Sequence, residues 1–597
     1  MAYAAACKAV YPSSILGVAS RFFASVCDQR HDYRVFMPTR AEAIAELTAP
    51  GSVFELETVP GFGHPIRVFK NAPRSMRDAW LQTAARGDVP YFYYGEDSYT
   101  YAEAHARVVS TAAWLTARGI KKGDRVAIGM RNYPEWAMAH WALQCIGAIT
   151  VSLNAWWIAE ELKYAFTDSG ATAAIVDGER LERLSDDMLR ECGVHSVVVV
   201  RATARPGTFS WDDVSGNSSA ELPTVEIAPD DDATILYTSG TTGFPKGALG
   251  THRNYITNIW NGLFGVALAM KMNGVVSPPA DTPKPQVTGF STFPYFHIAG
   301  LCGMIGGTYN GNAIVAQYKW DPVEAMELIQ KHKVNSFGGV PTVVRSLLEH
   351  PDIDNYDLSS LTTISQGGAP VAPDSVASIE SKFGGKVGAG NGYGLTETTA
   401  AVIANSGAAY FARKDSVGLP HVGTDVRIVD ENGNDVPQGS IGEVWVYGPN
   451  NVKGYWNKPV ETAKAFTDGW FHSGDAGYMD EEGFIYVVDR IKDMVLRGGE
   501  NVYCVEVETV LFEHSAVRDC AVIGVPHAKL GEEVVAVIVP AEGSGPSSEQ
   551  DLLQLLKSRL APFKVPSQVF WHEGELPRNA TGKVLKKDLR DMYSSSN

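Results

Sequence analysis

The chain has 597 residues, of which 45% are hydrophobic and 20% charged, a composition typical of a globular protein with several domains. Its formal net charge of −17 argues against general binding to nucleic acid or to anionic membranes, because both depend on basic surface. The seven cysteines are odd in number and lack C-x-x-C spacing, which indicates reduced thiols and no zinc site.

The N-terminal segment is compatible with two interpretations. Residues 1–27 include Lys8 and Arg21 and contain no acidic residue before Asp28. This composition resembles a mitochondrial transit peptide, and a structured extension explains it equally well. We therefore expect a cytoplasmic protein, with mitochondrial targeting as the alternative.

Residues 136–159 form the longest candidate for a membrane span, because they contain no Asp, Glu, Lys or Arg. However, they include polar residues such as His140 and Gln144, and the pattern changes at Gly147 from helix-like to strand-like. A buried helix followed by a sheet strand explains this pattern better than a transmembrane segment. Peripheral membrane contact stays open, as does the choice between monomer and homodimer.

Helical and extended segments alternate along the central part of the chain. The patterns predict helices at 101–118, 136–146, 160–169, 321–333 and 341–350, and strands at 125–130, 149–153, 233–237, 336–340 and 361–366. Such alternation is typical of a parallel sheet covered by helices on both faces. After about Asp489 the segments shorten, with helices at 505–517 and 551–561 and strands at 520–525 and 534–539. We therefore expect an α/β chain with an N-terminal extension (1–70), a large domain (71–489) and a small α+β C-terminal domain (490–597).

Residues 238–247, TSGTTGFPKG, predict a phosphate-binding loop at the end of the strand 233–237. Glycines let backbone N–H groups approach an anion closely, hydroxyls donate further hydrogen bonds, and Lys246 adds a positive charge. The loop is not a Walker A motif, and the chain also lacks the HExxH, GxSxG, protein-kinase and EF-hand signatures.

Further short motifs contain chemically useful groups near turns. Residues 392–398, GYGLTET, combine glycine-rich backbone, which suggests a flexible turn, with the ring of Tyr393 and the carboxylate of Glu397, a candidate Mg²⁺ ligand. The segment 473–475, SGD, places Asp475 beside a glycine, where it could accept hydrogen bonds from ribose hydroxyls. The segment 577–586, PRNATGKVLK, places Lys583 in a turn of the small domain.

Together with 489–493, DRIKD, these motifs resemble the adenylate-forming superfamily of acyl-CoA synthetases, aryl-CoA ligases, luciferases and adenylation domains. The resemblance runs in order from about residue 75 to 587. It implies an α/β fold with a large N-terminal domain of parallel-rich sheets with helices plus a distorted β-barrel. It also implies a small mobile α+β C-terminal domain that rotates about a hinge between two half-reactions.

The resemblance implies functions for individual residues. The ATP site would comprise Thr238, Ser239, Gly240, Thr241, Thr242, Gly243, Lys246, Gly368, Ala369, Tyr393, Thr396, Asp475, Arg490 and Lys583. The catalytic residues would be Lys583, Thr396, Glu397, His297 and Lys246, with Glu397 binding Mg²⁺. Lys492 would be the hinge, and Gly498 and Gly499 would bind coenzyme A.

The activity implied is the ATP-dependent joining of a carboxylic acid to coenzyme A through an acyl-adenylate. The acid would bind among Trp260, Tyr295, Phe296, His297, Gly300, Phe337, Gly338 and Gly339. The glycines leave room for an apolar tail and favour a medium- or long-chain fatty acid over a compact acid. An aryl acid of the coumarate type is the second candidate substrate, and a luciferase-like oxygenase or a nucleotide-binding acyl sensor are alternative functions.

Overall fold

The computed structural model of the protein describes residues 38–238, 244–275, 285–369, 371, 373–579 and 582–594. The strands in these ranges form four sheets and one separate hairpin, Leu56–Val59 with Ile66–Phe69. The α-helices in these ranges are Arg40–Leu47, Met76–Thr83, Tyr101–Ala117, Pro134–Ile146, Ala159–Ser169, Gly178–Glu182, Asp186–Glu191, Trp211–Ser215, His252–Met272, Ile298–Asn310, Pro322–His332, Pro341–Leu348, Pro373–Phe383, Gly407–Ala412, Pro459–Ala465, Cys504–Phe512, Glu549–Arg559 and Lys586–Tyr593.

The first sheet has seven strands and is parallel except at one edge. Their order is Lys246–Thr251, Asp232–Thr238, Ile149–Ser152, Arg125–Gly129, Ala173–Asp177, Ser196–Val200 and Phe209–Ser210. The first two are antiparallel and flank the predicted phosphate loop. Helices cover both faces, so successive residues of one strand, such as Ile175 and Val176, enter different cores.

The second sheet has nine strands, with six parallel strands between its antiparallel edges. Their order is Leu419–Pro420, Ala400–Ser406, Gly388–Leu395, Thr363–Gly367, Ser336–Gly339, Thr288–Ser291, Ala313–Ala316, Pro90–Tyr94 and Asp97–Thr100. The carboxyl ends of its parallel strands lead into the segments that carry His297, Gly368 and Glu397. Open parallel sheets bind ligands at this edge.

Two smaller sheets complete the fold. The third is antiparallel, with strands Asp425–Val429, Gly442–Tyr447, Phe466–Thr467, Trp470–Met479 and Ile485–Arg490. The fourth contains Val495–Arg497, Glu500–Val502, Val517–His527, Gly531–Pro540 and Gln568–Trp571. Helices Cys504–Phe512 and Glu549–Arg559 pack on one face of the fourth sheet, and Lys586–Tyr593 packs on the other. This sheet and its helices are called the small unit below.

The fold class expected from the sequence is confirmed, and so is the alternation of elements from Tyr101 to Gln366, with ends shifted by one or two residues. The helix predicted at 505–517 is too long, because the helix ends at Phe512 and Val517 already begins a strand paired with Pro540. Within residues 136–159, the helix Pro134–Ile146 is fully buried and is followed by the buried strand Ile149–Ser152, as expected. Among the described helices, none combines the length and apolarity needed to cross a bilayer.

The sequence suggested a flexible turn at residues 392–398. This is wrong for residues 392–395, because Gly388–Leu395 is a strand of the second sheet. A Cβ atom on Gly394 would lie 1.8 Å from the Ala400 carbonyl oxygen. The glycine therefore permits close strand contact, and the reversal comes later, where Thr399 and Ala400 have φ of 50° and 66°. Only the residues just after this strand form a tight 3-10 turn, Thr396–Thr398.

Candidate active site

A first cluster joins Lys246, Glu397 and Tyr455. The Tyr455 hydroxyl donates to Glu397 Oε1 at 2.6 Å, and Lys246 Nζ lies 4.3 Å from the centre of the Tyr455 ring. Glu397 is buried in the turn Thr396–Thr398, and its carbonyl accepts a hydrogen bond from Val452. The cluster therefore places a carboxylate and an ammonium group around one tyrosine. The ammonium group belongs to Lys246, near the end of the predicted phosphate loop.

A second cluster joins Asp475, Arg490 and Tyr393. Asp475 and Arg490 are paired across two strands of the third sheet, with Arg490 Nε 2.6 Å from Asp475 Oδ1. The Tyr393 hydroxyl donates to Asp475 Oδ2, also at 2.6 Å. Burial raises the pKa of Asp475, and the guanidinium of Arg490 opposes this shift. Tyr393 and Glu397 belong to one continuous segment, so the two clusters are held by neighbouring residues.

Lys583 of the small unit approaches the second cluster. Burial, together with the Arg490 and Lys492 cations, lowers its pKa to about 8, although the Asp475 and Asp493 carboxylates oppose this shift. The turn before it rests on the large domain, since a Cβ on Gly582 would lie 3.2 Å from Val340 Cγ2. The structure therefore brings Lys583 and Asp475 together, although 108 residues separate them in the sequence.

The lowered pKa of Lys583 predicts a pH-dependent reaction. If its ammonium form stabilises developing negative charge, kcat/KM for ATP–pyrophosphate exchange should fall as pH rises through about 8. Lys583→Arg keeps its charge over this range, so the variant should be slower but should lack the alkaline fall. An alkaline fall that persists unchanged in Lys583→Arg would assign the titration to another group.

The chemistry of the first cluster fits a magnesium ion bound together with a nucleotide. No group of three or more His, Cys, Asp or Glu residues among the described residues could hold a metal ion. Mg²⁺ commonly binds one or two carboxylates and completes its shell with substrate phosphates and water. Glu397 supplies one such carboxylate beside Lys246, and an ion held there would neutralise phosphate charge.

The remaining residues of the predicted nucleotide site have different positions. Thr238 ends its strand and its hydroxyl donates to the Lys246 carbonyl at 3.3 Å, whereas Ser239, Gly240, Thr241, Thr242 and Gly243 lie outside the described residues. Gly368 and Ala369 follow the strand Thr363–Gly367, which pairs with the strand of Tyr393. Gly368 has φ of 76°, and a Cβ there would lie 3.8 Å from Val340, the residue that Gly582 approaches. The predicted adenine residues and the turn before Lys583 therefore border the same place.

The predicted acyl-pocket residues divide into two groups. His297, Gly300 and Phe296 lie at the start of the helix Ile298–Asn310, and the Gly300 site has no room for a side chain because of the Pro294 carbonyl. Burial lowers the pKa of His297 to about 4, so the imidazole is neutral, and its Nδ1 accepts from Ala299 N–H at 3.4 Å.

The others are mainly core residues. Trp260 packs against Phe54 and Phe69, and Tyr295 is fully buried against Trp136. Phe337 packs against Phe290 and Trp320 in a separate core, so it is not available to a ligand on the opposite face of its strand. Gly338 follows it and faces the other way, whereas a Cβ on Gly339 would meet Val343 at 2.9 Å.

The predicted hinge and coenzyme A residues lie outside these clusters. Lys492 lies in the turn between the third sheet and the small unit with part of its surface exposed, and partial burial lowers its pKa. Gly498 and Gly499 form the exposed tip of a two-residue hairpin, with φ of 63° and 89°. The Gly498 N–H donates to the Leu530 carbonyl, within the small unit.

The sequence analysis missed Tyr455, which contacts both Lys246 and Glu397. It also missed Arg345, whose guanidinium lies 5.2 Å from the Phe512 ring of the small unit. An aromatic residue in the segment 454–457, GYWN, was a weak signal for Tyr455, because glycine and aromatic residues also mark ordinary turns.

Comparison with known families matches both parts of this architecture. Residues 80–456 match the AMP-binding enzyme family, and residues 506–583 match the AMP-binding enzyme C-terminal domain. The chain belongs to the AMP-binding enzymes. The first match lies in the large domain and the second lies in the small unit. The two parts of the chain that meet near Lys583 therefore correspond to the two family models.

Similar proteins are named as a CoA synthase, a CoA ligase and a CoA synthetase. A feruloyl-CoA synthase from Amycolatopsis sp. is 36% identical over 84% of this chain and 95% of its own length. A long-chain-fatty-acid–CoA ligase from Bacillus subtilis is 34% identical over 83% of this chain and 90% of its own length. The solved o-succinylbenzoate CoA synthetase of Bacillus subtilis, in complex with its acyl-adenylate intermediate, has a TM-score of 0.73 and 29% identity, covering 86% of this chain and 98% of its own.

Proposed function

We propose that the protein activates a medium- or long-chain fatty acid with ATP as an acyl-adenylate and transfers the acyl group to coenzyme A. The observation that carries this proposal is the approach of Lys583 to the Asp475–Arg490 pair. Lys583 of the small unit brings a cation to Asp475 of the third sheet, whose carboxylate can accept hydrogen bonds from hydroxyl groups. This arrangement fits a reaction at the α-phosphate of a nucleotide.

The adenylation step brings negative charges together, since a carboxylate attacks the α-phosphate and pyrophosphate leaves. Lys583 would lie between the two reacting anions, and Lys246 would stabilise the leaving pyrophosphate. Asp475 would accept hydrogen bonds from the ribose hydroxyls, held in place by Arg490 and Tyr393. Water exclusion at the contact between Gly582 and Val340 would strengthen each of these interactions.

The thioester step requires a thiol to reach the acyl carbonyl on the side that Lys583 occupies. Rotation of the small unit about Lys492 would withdraw Lys583 and bring Gly498 and Gly499 to the same opening. Glycines at that tip would let the pantetheine chain pass close to the backbone. The thiolate then displaces AMP, and the products are acyl-CoA and AMP.

An acyl tail has a path along two helices that begin near the catalytic residues. His297 caps the helix Ile298–Asn310, and in the helix His252–Met272 the Asn258 side chain donates to the Thr399 carbonyl at 3.0 Å. Cys302 Sγ lies 3.8 Å from the same carbonyl oxygen. Both helices therefore lie against the segment just after Glu397 and continue away from it.

Glycines along these two helices border open space, which at Gly262 and Gly303 is the exposed surface of the helix. A Cβ atom added to any of Gly262, Gly265, Gly303 or Gly306 would meet no described atom within 4 Å. Helical glycine is destabilising relative to alanine, so four of them indicate that space is needed there. We infer that a flexible alkyl chain lies along this glycine face, with its carboxylate near His297.

An aryl acid is the second candidate substrate, favoured by the similarity to a feruloyl-CoA synthase. ATP–pyrophosphate exchange with acetate, octanoate, palmitate, benzoate, coumarate and ferulate distinguishes the two, and addition of coenzyme A tests transfer. Exchange that is fastest with octanoate or palmitate supports the fatty-acid proposal, and exchange restricted to coumarate and ferulate supports the aryl alternative. Exchange with none of them contradicts the proposed function.

Gly303→Leu should shorten the accepted chain, because the proposed acyl path runs along this exposed side of the helix, where a Cβ on Gly303 would meet open space. We expect kcat/KM for palmitate to fall on the order of tenfold, while octanoate is affected less. Gly303→Ala is the matched control, since a methyl group fits the open space and should preserve activity. Equal loss for both chain lengths in Gly303→Leu would remove the glycine face from the acyl site.

A further inference from the structure

The strand Trp470–Met479 has a bulge where it supplies Asp475 to the second cluster. On the neighbouring strand, Gly442–Tyr447, only Val444 lies opposite the three residues 473–475. A bulge disrupts the hydrogen bonding between two strands and directs side chains to new positions. The position of the Asp475 carboxylate therefore depends on the bulge, whose backbone needs hydrogen-bond partners from outside the regular strand pairing.

Glu443 accepts a hydrogen bond from the middle of the bulge. Its Oε1 accepts from the Gly474 N–H at 2.9 Å. Gly474 has φ of 68°, a left-handed conformation that glycine adopts without strain. A Cβ atom on Gly474 would meet no described atom within 4 Å, so the backbone conformation and not crowding favours glycine here. The Glu443 carboxylate thus stabilises the residue directly before Asp475.

The Glu443 carboxylate is itself fixed by an aromatic pair. Its other oxygen, Oε2, accepts from Trp445 Nε1 at 2.9 Å. Trp445 follows two residues later on the same strand, so both side chains lie on one face of the sheet. The Trp445 ring stacks on the His472 imidazole, with centroids 3.9 Å apart and an interplanar angle of 10°. Both carboxylate oxygens of Glu443 therefore have a donor, and the side chain has one defined orientation.

The same bulge contacts the segment that leads to the small unit. The Gly474 carbonyl accepts from the Ile491 N–H at 2.9 Å, and Ile491 follows Arg490, the ion-pair partner of Asp475. The N–H and the carbonyl of Gly474 are therefore both fixed, one by Glu443 and the other by Ile491. Loss of the Glu443 contact would free one side of the bulge and change the position of Asp475.

We propose that Glu443 is a positioning residue that holds the bulge and so directs the Asp475 carboxylate to the ribose hydroxyls of the nucleotide. This inference rests on the proposed function, since it assumes that Asp475 binds the ribose. Each oxygen of Asp475 has one partner, Tyr393 or Arg490, and can accept a second hydrogen bond from a hydroxyl. The effect of Glu443 is therefore on recognition of the ribose, which ATP and AMP share, and not on recognition of pyrophosphate or the acid.

The test compares ATP with 2′,3′-dideoxy-ATP in pyrophosphate exchange. If Asp475 accepts hydrogen bonds from both hydroxyls, the unaltered protein should prefer ATP on the order of 10²-fold in kcat/KM. Glu443→Ala should reduce this preference about tenfold, because the Asp475 carboxylate loses its fixed position. The loss should come from ATP, whereas kcat/KM for 2′,3′-dideoxy-ATP should stay close to that of the unaltered protein. The inhibition constant of AMP should rise with KM for ATP.

Two further variants make the test specific. Glu443→Gln keeps the size of the side chain, but an amide has only one acceptor oxygen for the two N–H groups, so the preference for ATP should fall about threefold. Asp425→Ala is the matched control, because it removes a carboxylate at the other end of the third sheet, where Asp425 pairs with Arg67 at 2.6 Å. This exposed ion pair contributes little, so the control should keep the full preference.

An unchanged preference for ATP in both Glu443 variants would overturn the inference, and so would equal losses of kcat/KM for ATP and 2′,3′-dideoxy-ATP. Equal losses describe a general defect of the sheet, which thermal unfolding of the same variants would also show. If Glu443→Ala does not fold, the preference measured in Glu443→Gln decides. An unaltered protein that gives no exchange with any acid would contradict the proposed function itself. Exchange without any preference for ATP would contradict ribose binding by Asp475 and, with it, this inference.

Discussion

Replacing Lys583 by alanine should lower the rate of ATP–pyrophosphate exchange by on the order of 10²–10³-fold, because the variant lacks the cation next to the α-phosphate. Thioester formation from supplied acyl-adenylate and coenzyme A should stay close to that of the unaltered protein. The reason is the location of Lys583 on the small unit, which moves away before the second step in the proposed reaction. Measuring both half-reactions on the same preparation gives the ratio of the adenylation rate to the rate of thioester formation, and this ratio should fall in the variant.

The neighbouring Lys587 offers a matched control for this experiment. It is exposed at the start of the helix Lys586–Tyr593, which follows the turn of Lys583, so Lys587→Ala removes an equivalent charge from the small unit. This control should leave both half-reactions unchanged. Equal loss of adenylation and thioester formation in Lys583→Ala would show that the lysine supports the fold or both steps. It would then contradict a function restricted to adenylation.

Local patterns in the sequence were sufficient to predict much of the large domain. Helix and strand periods differ, so residues 101–169 could be divided into elements without tertiary information. The strand Gly388–Leu395 could not be predicted in this way, because glycine has low strand propensity and only contact with the adjoining strand explains it. Tertiary packing overrode the local preference there.

The residues of the candidate site also divide into those that local sequence patterns predicted and those that only tertiary contacts reveal. Glu397, Asp475 and Lys583 lie in motifs with unusual local composition, and the resemblance to a known superfamily connected them in advance. Tyr455 had only a weak signal in the segment 454–457, since its importance comes from its contact across the fold with Glu397. A tyrosine on a helix or in a turn is most often an ordinary packing residue.

The prediction that both Phe337 and Gly338 line the acyl pocket could have been rejected from the sequence alone. Successive side chains of a strand point to opposite faces, so Phe337 and Gly338 cannot both face one ligand. The structure places Phe337 in the core with Phe290. The proposed acyl path then depends on helical glycines such as Gly303, where the structure leaves open space beside the backbone.

Glu397→Gln should lower ATP–pyrophosphate exchange by on the order of 10²-fold and raise the Mg²⁺ concentration needed for half-maximal rate. The substitution keeps the oxygen that accepts the Tyr455 hydroxyl, so the local hydrogen bond is retained while the negative charge is lost. Hard divalent cations bind carboxylates more strongly than amides, which explains the expected shift. A magnesium titration of the exchange rate at saturating ATP measures it.

Tyr455→Phe is the matched control, because it removes the hydrogen bond to Glu397 and keeps both the carboxylate and the ring beside Lys246. We expect a smaller loss, about fivefold, with little change in the magnesium requirement. If Glu397→Gln kept the magnesium requirement of the unaltered protein, the carboxylate would not hold the ion. If the two variants lost activity equally, the pair would act by orienting the turn Thr396–Thr398, and the first cluster would be structural support for the phosphate site.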